Sequence, residues 1–265
     1  VLKIYQRFWQ VNWAEQWQYR ANLLMYLLYW LISPIIYLAV WTSIAIAKGS
    51  VNGLTANDFV TYYMTLLVVD QLTSNITIHT FAYKIQDGTL SAELIRPVHP
   101  MLTNTLINNL AFKALNFLVF IPIWGVLWLL YHPNFSSVTW QSVLLAIPAL
   151  IMGFALGFLL SGAITSIAFW TTRVWSIQEF YFALALLFSG QFVPLQLMPQ
   201  IVQTLAGYLP FQFLIYHPIQ IILGHLTPVE IARGYAVCAL WLAAAWLLFR
   251  WVWREGVKRY SAVGA

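Results

Sequence analysis

Charge is what this sequence has least of. Its 265 residues include 13 Lys or Arg and 8 Asp or Glu, so charged side chains make up 8% of the chain while hydrophobic ones make up 61%. Soluble domains carry about 25% charged and about 45–50% apolar residues. A soluble fold of this length needs a charged skin that these residues do not supply. Cysteine is nearly missing as well. The single Cys238 excludes an intrachain disulfide framework and a thiolate metal cluster, and it reads as a small apolar residue in a membrane helix. No glycine is followed by lysine, so the G-x-x-x-x-G-K-[ST] loop that cradles phosphates is missing, and ATP hydrolysis by that route is excluded. H-E-x-x-H and G-x-S-x-G are absent too. The five histidines are scattered, and the one pair in a single segment, His217 and His225, lacks ligand spacing and a carboxylate partner. No catalytic, cofactor-binding or metal site is expected on this chain.

What the sequence does have is long apolar runs. A bilayer-spanning helix takes roughly 20 apolar residues, and six runs qualify: Leu23–Ala47, Phe59–Ala82, Leu102–Tyr131, Ser142–Phe169, Trp175–Gly190 and Val229–Trp251. The first is too long for a signal-peptide core and no small-residue cleavage pattern follows it. The expectation is an all-α polytopic membrane protein, residues 1–265 forming one transmembrane domain with no room for a separate soluble one. Ten basic residues (3, 7, 20, 84, 96, 173, 250, 254, 258 and 259) fall on one side of these spans; Lys48 and Arg233 fall on the other, and Lys113 lies within a span. That bias places both termini in the cytoplasm. A contiguous basic face of the kind nucleic acid requires is absent.

Two segments do not read as spans. In residues 1–20, Tyr5, Phe8, Trp9, Trp13 and Trp17 recur at three- and four-residue spacings, with Lys3, Gln6, Gln10 and Glu15 on other faces. The pattern predicts an amphipathic helix lying at the headgroup level; an ordinary extension of the first span is the alternative. Residues 194–224 are apolar but cut by Pro194, Pro199, Pro210 and Pro218. Apolar pieces of about 10–14 residues are typical of re-entrant segments, so an outer re-entrant hairpin is expected between the fifth and sixth spans. Two further kinked spans are the alternative.

Polar residues are concentrated in parts of three spans. Asp70, Ser74 and Thr77 follow helical spacing in the second. Asn108, Asn109, Lys113 and Asn116 do so in the third, and Ser176, Gln178 and Glu179 open the fifth. All fall in the cytoplasmic half or near mid-membrane, which describes a cavity wet from the cytoplasm and sealed outside. A lone charge at that depth costs about 2.5–3.5 kcal/mol on insertion scales, so Lys113 is expected to pair with Asp70 or Glu179. After the second span, Asp87-Gly88 makes a turn, Thr89–Ile95 has room for two helical turns, and Pro97 stops them. This stiff cytoplasmic segment, residues 84–100, is expected to expose Leu90, Leu94 and Ile95 as a docking knob; a simple connector is the alternative.

The order of these elements resembles the permease subunit of ABC-2 type transporters, an exporter group with drug, polysaccharide and lipid members. The resemblance rests on the interfacial helix, the six spans, the linker DGTLSAELIRP and the Pro-punctuated SGQFVPLQLMPQIVQTLAGYLPF. It implies a dimer of permeases, identical or sister chains, with two separate P-loop ATPase subunits that bind ATP and Mg, and a linker helix that transmits nucleotide-driven closure. By the same resemblance Leu90, Glu93, Leu94 and Arg96 would couple to the ATPase. Asp70, Ser74, Thr77, Asn108, Lys113 and Glu179 would line the substrate pathway. Pro194, Pro199, Leu209, Pro210 and Phe213 would form the outer gate. The lack of a glycan-binding extension points to a small amphipathic cargo, drug-like, lipid or glycan, exported across a bacterial plasma membrane. The competing classes are a secondary transporter or channel without an ATPase, and an intramembrane enzyme.

Overall fold

The computed structural model describes residues 2–260. These residues form eleven α-helices: α1 (Leu2–Gln18), α2 (Arg20–Lys48), α3 (Ala56–Thr73), α4 (Thr77–Gln86), α5 (Ser91–Leu94), α6 (Leu106–Tyr131), α7 (Trp140–Ser166), α8 (Val174–Phe188), α9 (Gln200–Tyr208), α10 (Tyr216–Ile222) and α11 (Pro228–Arg259). The described residues contain no strand, only an isolated bridge between Val51 and Leu54. Four helical stretches are long and apolar enough to cross a membrane: Arg20–Lys48, Met101–Tyr131, Trp140–Phe169 and Pro228–Arg259. The expected fifth span is α8, with 15 residues. The expected second span, Phe59–Ala82, is not one helix.

That second segment is the centre of the fold. Thirteen of the 18 residues of α3 are buried, because α2, α6, α7 and α10 all pack against it. A helix covered on every side can be apolar all round, as Phe59, Tyr63, Met64, Leu66 and Val69 are, each fully buried. The helix stops at Thr73, Ser74 turns extended, and α4 begins at Thr77. Ser and Asn compete for backbone hydrogen bonds and favour such interruptions. The expectation of one continuous helix is therefore corrected.

The two ends of the bundle are built differently. At one end the helices start sharply: Thr55 with Asp58, Thr139 with Ser142 and Thr227 with Glu230 each form a reciprocal capping box. At the other end, an aromatic cluster binds distant segments together. Phe81 and His99 pack on Trp253, Tyr83 on Trp175, and Phe169 on Tyr260. The residue 84–100 linker, the turn around Arg173, and the last turns of α11 therefore share one end with α1, whose Phe8 ring lies 5.8 Å from the Arg96 guanidinium carbon. The ten basic residues grouped by sequence belong to these segments, apart from Arg20, which opens α2.

Helix α1 exists as expected but is only partly a surface helix. It packs along α6, with Asn12 buried and Trp13 against the Phe112 and Leu115 cluster. Trp9 and Trp17 remain exposed. The linker helix is shorter than expected, a single turn, Ser91–Leu94. Leu90, expected on the surface, is fully buried with Phe81 and Ile85.

Residues 189–224 form two short helices joined by a 3₁₀ turn at Pro210–Phe213. Helix α9 packs on α8 and leaves Ile201, Leu205 and Tyr208 exposed, whereas α10 is inserted between α7 and α3. Unpaired backbone groups in such a segment must be satisfied by neighbours. Tyr62 donates to the Gly190 carbonyl at 2.7 Å, and Tyr63 and Trp41 donate to that of Phe192 at 2.7 and 3.1 Å. Gly190 has φ +83° and a Cβ there would sit 2.7 Å from the Tyr62 hydroxyl, so the turn requires glycine.

Close approach on α7 uses Gly153-x-x-x-Gly157, a spacing that lets backbones touch. A Cβ at Gly153 would meet the Phe213 carbonyl oxygen at 2.8 Å, whereas one at Gly125 on α6 meets nothing within 4 Å. Gly153→Ala should lower stability by about 1–3 kcal/mol through overpacking, while Gly125→Ala should be neutral or stabilising by up to about 1 kcal/mol. Thermal unfolding of the two variants in detergent checks this; equal midpoints would contradict the close contact.

Candidate functional site

The site grows from the interruption of α3. A helix end leaves carbonyl and amide groups unpaired, and here the end lies inside the bundle. Two side chains of α6, one turn apart, meet them. Lys113 Nζ donates to the Gln71 carbonyl at 2.7 Å and lies 3.4 Å from the Ser74 hydroxyl. Asn109 Oδ1 accepts from the Ile76 amide at 2.8 Å, while its Nδ2 donates to the Thr105 carbonyl at 2.8 Å and lies 3.5 Å from the Thr77 hydroxyl. A cation at the C-terminal end of α3 also opposes the negative end of that helix's dipole. The face of the ammonium that is left looks onto the Phe154 ring, 5.3 Å away.

Lys113 and Asp70 attract each other electrostatically, one of the two pairings the sequence offers, without a direct ion pair between them. Among the described residues the ion pairs are Lys84–Glu93 at 2.8 Å and Lys258–Glu255 at 2.6 Å. Asp70 is buried in α3 and faces a cavity of about 80 Å³ shared with Ser161, Tyr181 and Ser189. Glu179 is exposed on α8 and does not line the cavities at the break.

Three spaces meet at the break. The Asp70 cavity and a second one of about 10 Å³ share Ser74 and Asn75. The smaller one has the volume that admits a single water, and Asn116, whose buried Oδ1 has no hydrogen-bond partner, is among its lining residues. Beyond Ile76 and Phe112 lies a groove of about 820 Å³ between α1, α2 and α6. Asn108 belongs to its wall, held by a 2.8 Å hydrogen bond from Gln16. Trp30 lines all three spaces. Asp70, Ser74, Thr77, Asn108 and Lys113 are thus gathered around one interruption, and Glu179 is not. Sequence reasoning gave Asn109 and Asn116 no separate role, although their spacing with Lys113 was visible; nothing local marks one of them as a backbone cap.

In the linker, Glu93 turns inward to Lys84 and Leu94 packs on the aromatic end cluster, while Ile95 is 86% exposed and Arg96 is exposed beside Phe8. Asp87 accepts from the Thr89 amide at 3.0 Å and hydroxyl at 2.8 Å, which holds its carboxyl below the usual carboxylate range. Burial holds the His99 imidazole below its ordinary value, in keeping with its Nδ1 accepting from the Met101 amide at 3.2 Å. At the opposite end, Pro194, Pro210 and Phe213 are buried, Leu209 is half-buried and Pro199 is exposed where α9 begins. Phe213 packs 5.4 Å from the His217 ring. Among the described residues no three His, Cys, Asp or Glu side chains are placed to hold a metal ion.

The chain matches the family described as ABC-2 family transporter protein over residues 27–264. No curated protein matches it.

Asn109→Leu would remove the bond its side chain accepts from the Ile76 amide and the one it donates to the Thr105 carbonyl. Losing two such hydrogen bonds costs about 1–3 kcal/mol, so the variant should unfold at a lower temperature than wild type in detergent. An unchanged midpoint would mean that the interruption is held by something other than α6.

Proposed function

Because the chain belongs to the ABC-2 family of transporter proteins, we propose that it is the membrane-spanning subunit of an ATP-driven exporter. Its cargo is a small amphipathic molecule, drug-like, lipid or glycan in class, taken from the cytoplasm or inner leaflet. The observation that carries this reading is the family match over residues 27–264. The sequence supports it from the other side: with no phosphate-cradling loop, ATP and Mg belong to separate P-loop ATPase subunits, two per complex. The permease works with a second permease chain, identical or sister, in the plasma membrane of a bacterium. The basic segments at one end of the bundle support a cytoplasmic position for both termini.

In this reading the linker end contacts the ATPase. Ile95 and Arg96 present the contact surface, while Leu90 and the Lys84–Glu93 pair hold the turn rigid from behind. Leu94 links that surface to the aromatic cluster, which reaches α11 through Phe249 and Trp253. A push on the linker therefore has a packed route to α4 and the break. At the far end, α9, α10 and the buried Phe213 form the outer gate, a re-entrant hairpin closed over the polar cavity.

A broken helix is also a mark of secondary transporters, where carbonyls at half-helix ends coordinate a coupling cation. Here the Gln71 carbonyl is occupied by the protein's own Lys113 ammonium. That argues against an ion-coupled carrier and for a structural role of the cation.

A tagged preparation of this chain should bring down a P-loop ATPase, one per permease, and transport by the reconstituted complex should need ATP. Ile95→Asp should leave the permease folded and cut transport and cargo-stimulated ATP hydrolysis at least about fivefold, since burying an isoleucine contributes about 1.5–3 kcal/mol. Transport by the chain with no second subunit would overturn the exporter reading; full coupling in Ile95→Asp would return the linker to a simple connector.

A further inference from the structure

The groove between α1, α2 and α6 is a space that the gating scheme leaves without a role. Its volume, about 820 Å³, is in the range of drug-sized binding sites. Its lining is unusually aromatic: Tyr26, Tyr29, Trp30 and Phe112 stand around it, with Met25 between them. Tyr26 meets Phe112 edge-on at 6.1 Å, and Tyr29 meets Trp30 in the same way at 6.3 Å. Tyr29 and Met25 are largely exposed, so their surfaces are available to a ligand. Polar lining comes from Gln16, Asn22 and Asn108, and among the described residues Glu15 is the acidic side chain in the wall.

Charge decides which ligand fits. Aromatic faces attract cations through their negative quadrupole, and Glu15 adds a full negative charge at the mouth. Among the described residues no lysine or arginine lines the groove. Arg20 follows the lining residue Tyr19 but is not itself part of the wall, and Lys113 lies behind Ile76 and Phe112 with its ammonium committed to the Gln71 carbonyl. An anion would meet ring faces and a carboxylate; a lipophilic cation meets complementary groups on every side. The inner wall, formed by Trp30, Ile76 and Phe112, separates the groove from the cavities at the break.

We propose that this groove is the loading site for cargo and that it selects amphipathic organic cations carrying an aromatic or bulky apolar body. The cation rests against Glu15 and the tyrosines, and the apolar body lies on Trp30, Phe112 and Met25. The proposal rests on the exporter reading for the word cargo, but the binding site stands on its own geometry. Rotation of Trp30 or Phe112 would open the groove toward the break, which makes them the inner door.

The test uses the purified full-length chain in nanodiscs without ATPase and two probes of nearly equal shape, tetraphenylphosphonium and tetraphenylborate. The cation should bind saturably at one site per chain. Glu15→Gln should weaken it about tenfold, the effect of losing one close charge interaction, and Trp30→Ala should weaken it at least about fivefold. Glu255→Gln, at the far end of α11, should leave it unchanged. Thermal midpoints equal to wild type keep misfolding apart from loss of the site. Equal binding of tetraphenylborate, no saturable binding of the cation, or wild-type affinity in Glu15→Gln would overturn the proposal, the first by identifying a greasy slot of the kind lipid fills. Because binding is read without nucleotide, failure of the ATP-driven reading would appear instead as transport independent of an ATPase.

Discussion

The contact on which the rest of the molecule depends is the pair of α6 side chains that holds the broken ends of α3 and α4. Buried backbone groups without partners are costly, and a helix interrupted in the middle of a bundle creates several at once. Lys113 and Asn109 meet the Gln71 carbonyl and the Ile76 amide from a single helix face. The interruption is thereby made stable, and the chain gains a polar centre that an unbroken apolar helix would not provide. Asp70, Ser74, Asn75 and Asn116 are brought to the same spot because the break opens space there.

That centre is enclosed by close approaches on two other sides. Gly153 and Gly157 let α7 come against the Phe213 and Leu214 carbonyls and against the break itself, where Asn75 Nδ2 and the Thr73 carbonyl would lie within 4 Å of a Cβ at Gly157. The far end is closed by α10 and by tyrosines that donate to the 189–193 backbone. Toward the basic end, Trp13 of α1 and Ile76 at the break both pack on Phe112 and Leu115 of α6, so the helix that reads as a surface anchor shares a cluster with the break. The aromatic cluster of Phe81, His99, Phe169 and Trp253 links the linker to α4 and α11. In the proposed exporter, motion at the linker is transmitted to the polar centre through these packed rings, which have no slack to absorb it.

Much of this was legible before any coordinates, for a physical reason. Long apolar runs and basic flanks are compositional signals, so the α-helical membrane class and the grouping of α1, the linker, the Arg173 turn and the α11 end at one end followed from them. The break was not legible because Asp70, Ser74 and Thr77 at three- and four-residue spacing fit an intact helix equally well. Only the local preference of Thr73-Ser74-Asn75 for caps and turns distinguishes the two. Leu90 was misplaced because its burial is decided by Phe81 and Ile85 on another helix. The Gly153–Gly157 spacing lay in plain view, but its meaning depends on which backbone faces it.

In the proposed exporter, the interruption of α3 sits in a polar cavity reached by water from the linker end and closed at the other. Thiol accessibility measures that directly, because reaction with a membrane-impermeant maleimide requires a hydrated thiolate. In a Cys238→Ala background, Ser74→Cys, Asn75→Cys and Asn108→Cys should each react when reagent is added on the side of the linker and stay unreactive from the opposite side. Leu156→Cys, buried on α7 away from these cavities, should react from neither. Labelling of the two break positions from both sides without nucleotide, or from neither side, would contradict the account.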